Sequence, residues 1–235
     1  MVKAFSEGDL KKLYVPQPNS HKGQNGKLMI IGGSKLFHAA SLWSLKIASR
    51  IVDMVYHSSV DENNQIVQKV KEEFRYGIVV KRDDIDSYIQ EADCVLIGPG
   101  LPRLEGQEEG DDDTKILTER LLKKYPHKRW VIDGGSLQTI DPSFIPENAI
   151  LTPHRKEFET LFSAVILNEV KNPNQKKEIL RLTSLAQDDN VSQMAKKYNC
   201  TILLKGATDT VCSPNECVKI EGGNVGMTKG GTGDV

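Results

Sequence analysis

No run of apolar residues approaches the ~20 needed to cross a bilayer. The opening Met1-Val2-Lys3-Ala4-Phe5 lacks the apolar core of a signal peptide, which sets the expectation of a cytoplasmic protein. Neither sign of charge dominates: 31 Lys and Arg stand against 32 Asp and Glu, for a net charge of -1. Without a basic field, neither nucleic acid nor an anionic membrane is an expected partner. Cysteine is scarce. The four are Cys94, Cys200, Cys212 and Cys217, with no CxxC and no clustered His/Cys spacing for zinc, so no metal site is expected. Cys94 and Cys200 sit beside apolar runs and read as buried thiols. Cys212 and Cys217 flank Ser213-Pro214-Asn215-Glu216, and a reduced pair facing across a hairpin is expected, because cytosolic disulfides are rare. A dinucleotide fingerprint is also missing: Gly32-Gly33-Ser34 lacks the GxGxxG spacing, and no acidic residue closes a second strand.

What is present is an alternation. At 235 residues, 38% of them apolar and 27% charged, the chain suits one α/β domain with a modest core and polar excursions. Short apolar runs at Leu28–Ile31, Gly77–Val80, Cys94–Ile97, Trp130–Ile132, Ala149–Leu151 and Ile202–Leu204 read as strands. Helical patterns at Ala39–Val52, Thr114–Tyr125, His154–Phe162 and Val191–Tyr198 fall between several of them. Continuous apolar strands alternating with helices imply a mostly parallel sheet covered on both faces. Thr210–Ile220 reads as an antiparallel addition around a Ser-Pro-Asn turn. Glu105–Asp113, six acidic residues in nine, is expected to be a solvated loop. Residues 164–190 are polar and carry Asn172-Pro173-Asn174, and are expected to form a surface insertion.

The strand ends hold the chemistry. Ile97 runs into Gly98-Pro99-Gly100, Ile132 into Asp133-Gly134-Gly135, and Leu151 into Thr152-Pro153-His154. In open α/β sheets the ligand crevice lies beyond such carboxyl ends, so these turns are expected around one cleft. The chain closes on Lys229-Gly230-Gly231-Thr232-Gly233-Asp234, a glycine loop whose N–H groups can converge on an anion, with a carboxylate placed to take a proton. Such a loop normally feeds a helix N-terminus. Val235 follows directly, so the sequence reads as one domain, residues 1–235, truncated after this loop and lacking its last helices.

Asn19-Ser20-His21-Lys22-Gly23, the strand into Gly32-Gly33-Ser34, Gly98-Pro99-Gly100, Thr152-Pro153-His154 with Glu157, Leu204-Lys205-Gly206-Ala207 and Gly230–Asp234 occur in this order. That ordered set resembles the ADP/ATP-dependent NAD(P)H-hydrate dehydratases of the ribokinase-like superfamily. The resemblance implies an α/β three-layer sandwich and a metabolite-repair lyase. Its substrate would be the S epimer of NAD(P)H hydrate. ADP or ATP, with Mg2+, would phosphorylate the C6 hydroxyl, and elimination of phosphate would restore the dihydronicotinamide. It further implies a homo-oligomer and a functional link to a separate NAD(P)H-hydrate epimerase.

By the same resemblance Asp234 is the catalytic base and contacts the hydrate together with Ala40, Gly100 and His154, with Asp133 as a further contact. Lys205, Gly206, Ala207, Thr208 and Asp209 form the nucleotide-binding turn. Gly230, Gly231, Thr232 and Gly233 cradle the transferring phosphoryl group. His21-Lys22 lies before the first strand, in a loop that can reach the cleft or face solvent. Two other readings stay open: a small-molecule kinase of the same superfamily acting on a hydroxymethylpyrimidine, thiazole or sugar, and a non-catalytic nucleotide-binding fragment.

Overall fold

The computed structural model describes residues 3–169, 187–229 and 231–233. Its framework is a sheet of ten strands: β1 (Lys3–Ala4), β2 (Lys27–Ile31), β3 (Met54–Ser58), β4 (Ile78–Val80), β5 (Cys94–Ile97), β6 (Arg129–Ile132), β7 (Ile150–Leu151), β8 (Thr201–Leu204), β9 (Asp209–Cys212) and β10 (Cys217–Ile220). Their order is β1-β10-β9-β8-β7-β6-β5-β2-β3-β4. From β4 across to β8 every pairing is parallel, while β9 runs antiparallel to both β8 and β10.

The described helices are α1 (Ala39–Ala48), α2 (Asp61–Phe74), α3 (Ile85–Glu91), α4 (Thr114–Lys124), α5 (Gly134–Thr139), α6 (Arg155–Glu169) and α7 (Gln187–Lys197). They cover both faces, because the central strands are apolar on both. In β2, Met29 and Ile31 enter one core with α3 to α7, and Ile30 enters another with Leu45 of α1 and Val67 of α2. All three side chains are fully buried, so a strand without polar alternation is what this position requires. Helix α4 begins where the Asp113 carboxylate accepts the Ile116 N–H at 2.9 Å, and it buries Leu117, Leu121 and Leu122.

Several expectations need correction. β3 is not among the expected strands, because His57 and Ser58 interrupt its apolar character although both are fully buried. Helix α1 stops at Ala48 rather than Val52, and α6 continues past Phe162 to Glu169. The acidic run at 105–113 is not simply a solvated loop. Asp112 takes the Arg82 guanidinium at 2.6 Å, Asp111 accepts the Lys35 backbone N–H at 2.8 Å, and Asp113 caps α4. The reduced cysteine pair is replaced by a Cys212–Cys217 disulfide. The two residues are direct partners across the β9–β10 hairpin, with Cα atoms 4.1 Å apart, a proximity that compartment statistics do not encode. Of the expected surface insertion, residues 164–169 and 187–190 are helical, and 170–186 lie outside the described residues.

Among the described residues no helix is long and apolar enough to cross a membrane.

Candidate active site

The strand order fixes where a cleft must form. The chain moves from β2 outward to β3 and β4, then returns to β5 on the other side of β2, and such a reversal opens a crevice at the carboxyl ends. The turn after β2 (Gly32-Gly33) and the turn after β5 (Gly98-Pro99-Gly100) meet there, with the Gly33 N–H donating to the Pro99 carbonyl at 2.8 Å. Gly100 has φ 72, and a Cβ on it would lie 2.8 Å from the Phe37 carbonyl and 3.3 Å from the Ala40 Cβ. The expected substrate contacts Ala40 and Gly100 are therefore neighbours, although 60 positions separate them in sequence.

The next strand end brings the charges. Asp133 follows β6 and is largely buried, and its Oδ1 accepts from the Thr152 hydroxyl at 2.8 Å and from Lys205 Nζ at 2.9 Å. Lys205 follows β8, and its own N–H bonds the Pro153 carbonyl at 2.9 Å. His154 and Lys205 form a parallel bridge, so the Thr152-Pro153-His154 turn and the lysine are fixed side by side.

His154 opens α6 by a reciprocal cap. Its backbone N–H donates to Glu157 Oε2 at 2.9 Å, while the Glu157 N–H donates to His154 Nδ1 at 3.2 Å. An accepting Nδ1 puts the proton of the neutral ring on Nε2, which lies 3.5 Å from Glu157 Oε1. Glu157 is buried and also accepts from Gln138 Nε2 at 3.1 Å. The His154 side chain remains about half exposed.

The glycine loop completes the ring of elements. Gly231 has φ 92, and a Cβ on it would fall within the indole of Trp43 on α1. A Cβ on Gly233 would stand 3.3 Å from Lys205 Nζ. Thr232 spends its hydroxyl on the loop itself, donating to the Met227 and Lys229 carbonyls at 2.6 and 2.9 Å. Gly230 and Asp234 lie outside the described residues.

Of the turn after β8, Gly206 donates its N–H to Asp209 Oδ1 at 2.8 Å, so that N–H and that carboxylate satisfy each other. Ala207 and Thr208 are exposed. The His21-Lys22 loop does not reach the cleft: Gly23 and Asn25 donate backbone N–H groups to Asp53, which precedes β3 and so lies at the opposite end of the strands. Trp43, Arg82 and the Ser41, Ser59 and Asn63 cluster beneath Gly33 were absent from the expected site. Only the glycine turns at Gly33 and Gly231, which the polar cluster and Trp43 pack against, had a readable signal.

The residues present suit a phosphorylated nucleotide in one corner: a lysine, a buried carboxylate and a glycine loop with room for close backbone approach. Among the described residues no three His, Cys, Asp or Glu side chains converge on a metal site.

A family model described as NAD(P)H-hydrate dehydratase matches residues 28–235. The Bifunctional NAD(P)H-hydrate repair enzyme Nnr of Methanocaldococcus jannaschii is 34% identical over 97% of this chain, which spans 41% of that relative's length. The ADP-dependent (S)-NAD(P)H-hydrate dehydratase of Nitrosopumilus maritimus is 30% identical over 96% of this chain and 76% of its own. Among solved structures, the ADP/ATP-dependent NAD(P)H-hydrate dehydratase of Bacillus subtilis, co-crystallized with ATP/Mg2+, superposes with a TM-score of 0.70 at 20% identity, covering 99% of this chain and 77% of that one. Likeness at this level shows the expected ribokinase-like sandwich.

Proposed function

The chain belongs to the NAD(P)H-hydrate dehydratase family, and on that premise we propose that it repairs the S epimer of NAD(P)H hydrate at the expense of ADP or ATP. The observation that carries the proposal is the corner where Lys205 Nζ meets both Asp133, at 2.9 Å, and the Gly233 backbone. A cation, a carboxylate and a glycine loop at one strand end form the apparatus that phosphoryl transfer needs.

In this reading Lys205 neutralises charge on the transferring phosphoryl group. Asp133, itself positioned by the Thr152 hydroxyl, holds the ammonium, and two of its three N–H bonds remain for a ligand. Gly231 and Gly233 bring the backbone close to the same group, and Gly230 is a further proposed nucleotide contact. Gly100 and Ala40, neighbours beside the β5 turn, are the proposed contacts for the hydrate, together with His154 at the end of β7. Asp234 is the proposed general base that takes the proton of the C6 hydroxyl. The nucleotide supplies the phosphoryl group that turns that hydroxyl into a leaving group. Magnesium would be held chiefly by the phosphates, with Asp133 as the carboxylate this corner offers, because the ion commonly uses one or two carboxylates and substrate oxygens.

The same proposal includes a companion epimerase, which would supply the S epimer from the epimer of opposite configuration at C6. The relative named above as a bifunctional repair enzyme supports that link. A homo-oligomer remains part of the proposal by resemblance alone.

The test is incubation of the chain with the S hydrate of NADH and ADP or ATP with Mg2+. Return of the dihydronicotinamide absorbance is expected with nucleotide and not without it. No return with either nucleotide overturns the proposal.

A further inference from the structure

We propose that Trp43 is a positioning residue that docks the closing glycine loop onto α1, and thereby sets the distance between the phosphate corner and the substrate-facing corner. What the docking does for turnover rests on the function proposed above, while the docking itself rests on geometry alone.

Trp43 lies on α1 one turn beyond Ala40, so the same rigid helix presents both residues. The Gly231 backbone sits against the six-membered ring of its indole: a Cβ there would fall onto Cζ3, Cε3 and Cη2 together. Gly231 also needs φ 92, a conformation L side chains rarely adopt. Two independent constraints therefore demand glycine at this position. Two residues further on, Gly233 meets Lys205 Nζ. Between them Thr232 locks the turn on its own carbonyls.

A three-residue stretch thus lies against an α1 side chain at one end and close to a β8-end side chain at the other. From Trp43 the helix leads back to Ala40, and Ala40 touches Gly100. Phosphate loop and hydrate surface are joined by one aromatic contact, and a rigid ring transmits position better than a flexible chain because only two torsions set it. Trp43 keeps 37% of its surface exposed, so it is not a core residue whose loss must unfold the domain.

The chain's second tryptophan, Trp130, is 1% exposed, so acrylamide quenching of the native chain reports chiefly on Trp43. Gly231→Ala is expected to lift the loop from the indole, raising quenching and moving the emission to longer wavelength. Unchanged quenching overturns the docking whether or not the chain turns over hydrate. In the hydrate assay Trp43→Ala is expected to lower kcat on the order of a hundredfold, the effect of roughly 1 Å of misplacement, with both KM values held. Trp43→Phe, which keeps a ring in place, is expected to recover most of the loss, while the urea midpoint stays the same in all three. Full turnover in Trp43→Ala, or a loss that Trp43→Phe does not relieve, overturns the positioning role. A native chain that is inactive with both nucleotides counts against the proposed function, and the quenching comparison still decides the docking.

Discussion

His57 gives the sharpest quantitative expectation. It lies on β3, fully buried, and neither ring nitrogen has a hydrogen-bond partner among the described residues. Burial, reinforced by the positive charges of Arg82 and Lys71, pushes its imidazole down from 6.5 to about 3. The folded value is below the unfolded one, so the unfolded chain takes up the proton first. The contribution to stability is whole above pH ~6.5 and is lost as the pH falls toward ~3, at about 1.4 kcal/mol per pH unit. Between pH 7 and pH 5 this one residue is expected to remove about 2 kcal/mol. The perturbation is His57→Leu, which cannot titrate and leaves no unpaired nitrogens, themselves costing about 1–3 kcal/mol when buried. Urea unfolding of both chains at a series of pH values is the assay. The variant is expected to match or exceed the parent at pH 7 and to lose about 2 kcal/mol less on going to pH 5, with the same m-value. Parallel pH profiles for parent and variant would refute the reasoning, because they would show the imidazole titrating alike in both states.

Three further outcomes follow from the site and the hairpin. Lys205→Ala is expected to lower kcat/KM by about 10²–10³-fold, the usual cost of losing one transition-state partner, in steady-state assays with either nucleotide. Gly100→Ala introduces a Cβ 2.8 Å from the Phe37 carbonyl at φ 72, so it is expected to raise the hydrate KM while the nucleotide KM stays put. Reduction of Cys212–Cys217 opens a loop with a sequence separation of 5, and a stability loss of about 2 kcal/mol is expected in urea titrations with and without dithiothreitol. The Cys212→Ser, Cys217→Ser double variant should show the smaller stability under both conditions.

The amino-acid sequence by itself determined the class of fold and the list of turns. Apolar runs such as Leu28–Ile31 and Cys94–Ile97 announce strands buried on both faces, and Gly-Pro-Gly and Thr-Pro-His announce the turns after them, because these signals depend on the local chain alone. Tertiary structure decided everything that joins distant positions. The reversal that places β2 beside β5 brings Ala40 to Gly100. The ends of β6 and β8 bring Asp133 to Lys205 across 72 positions. No local pattern distinguishes those pairs from any other glycine or any other lysine. The same holds for Asp111 and Asp112, which read as a solvated acidic run until Lys35 and Arg82 are seen to meet them. Trp43 is the clearest case. As a sequence it is one aromatic on a short apolar helix, and only the loop that returns at residue 231 gives its indole a backbone to hold.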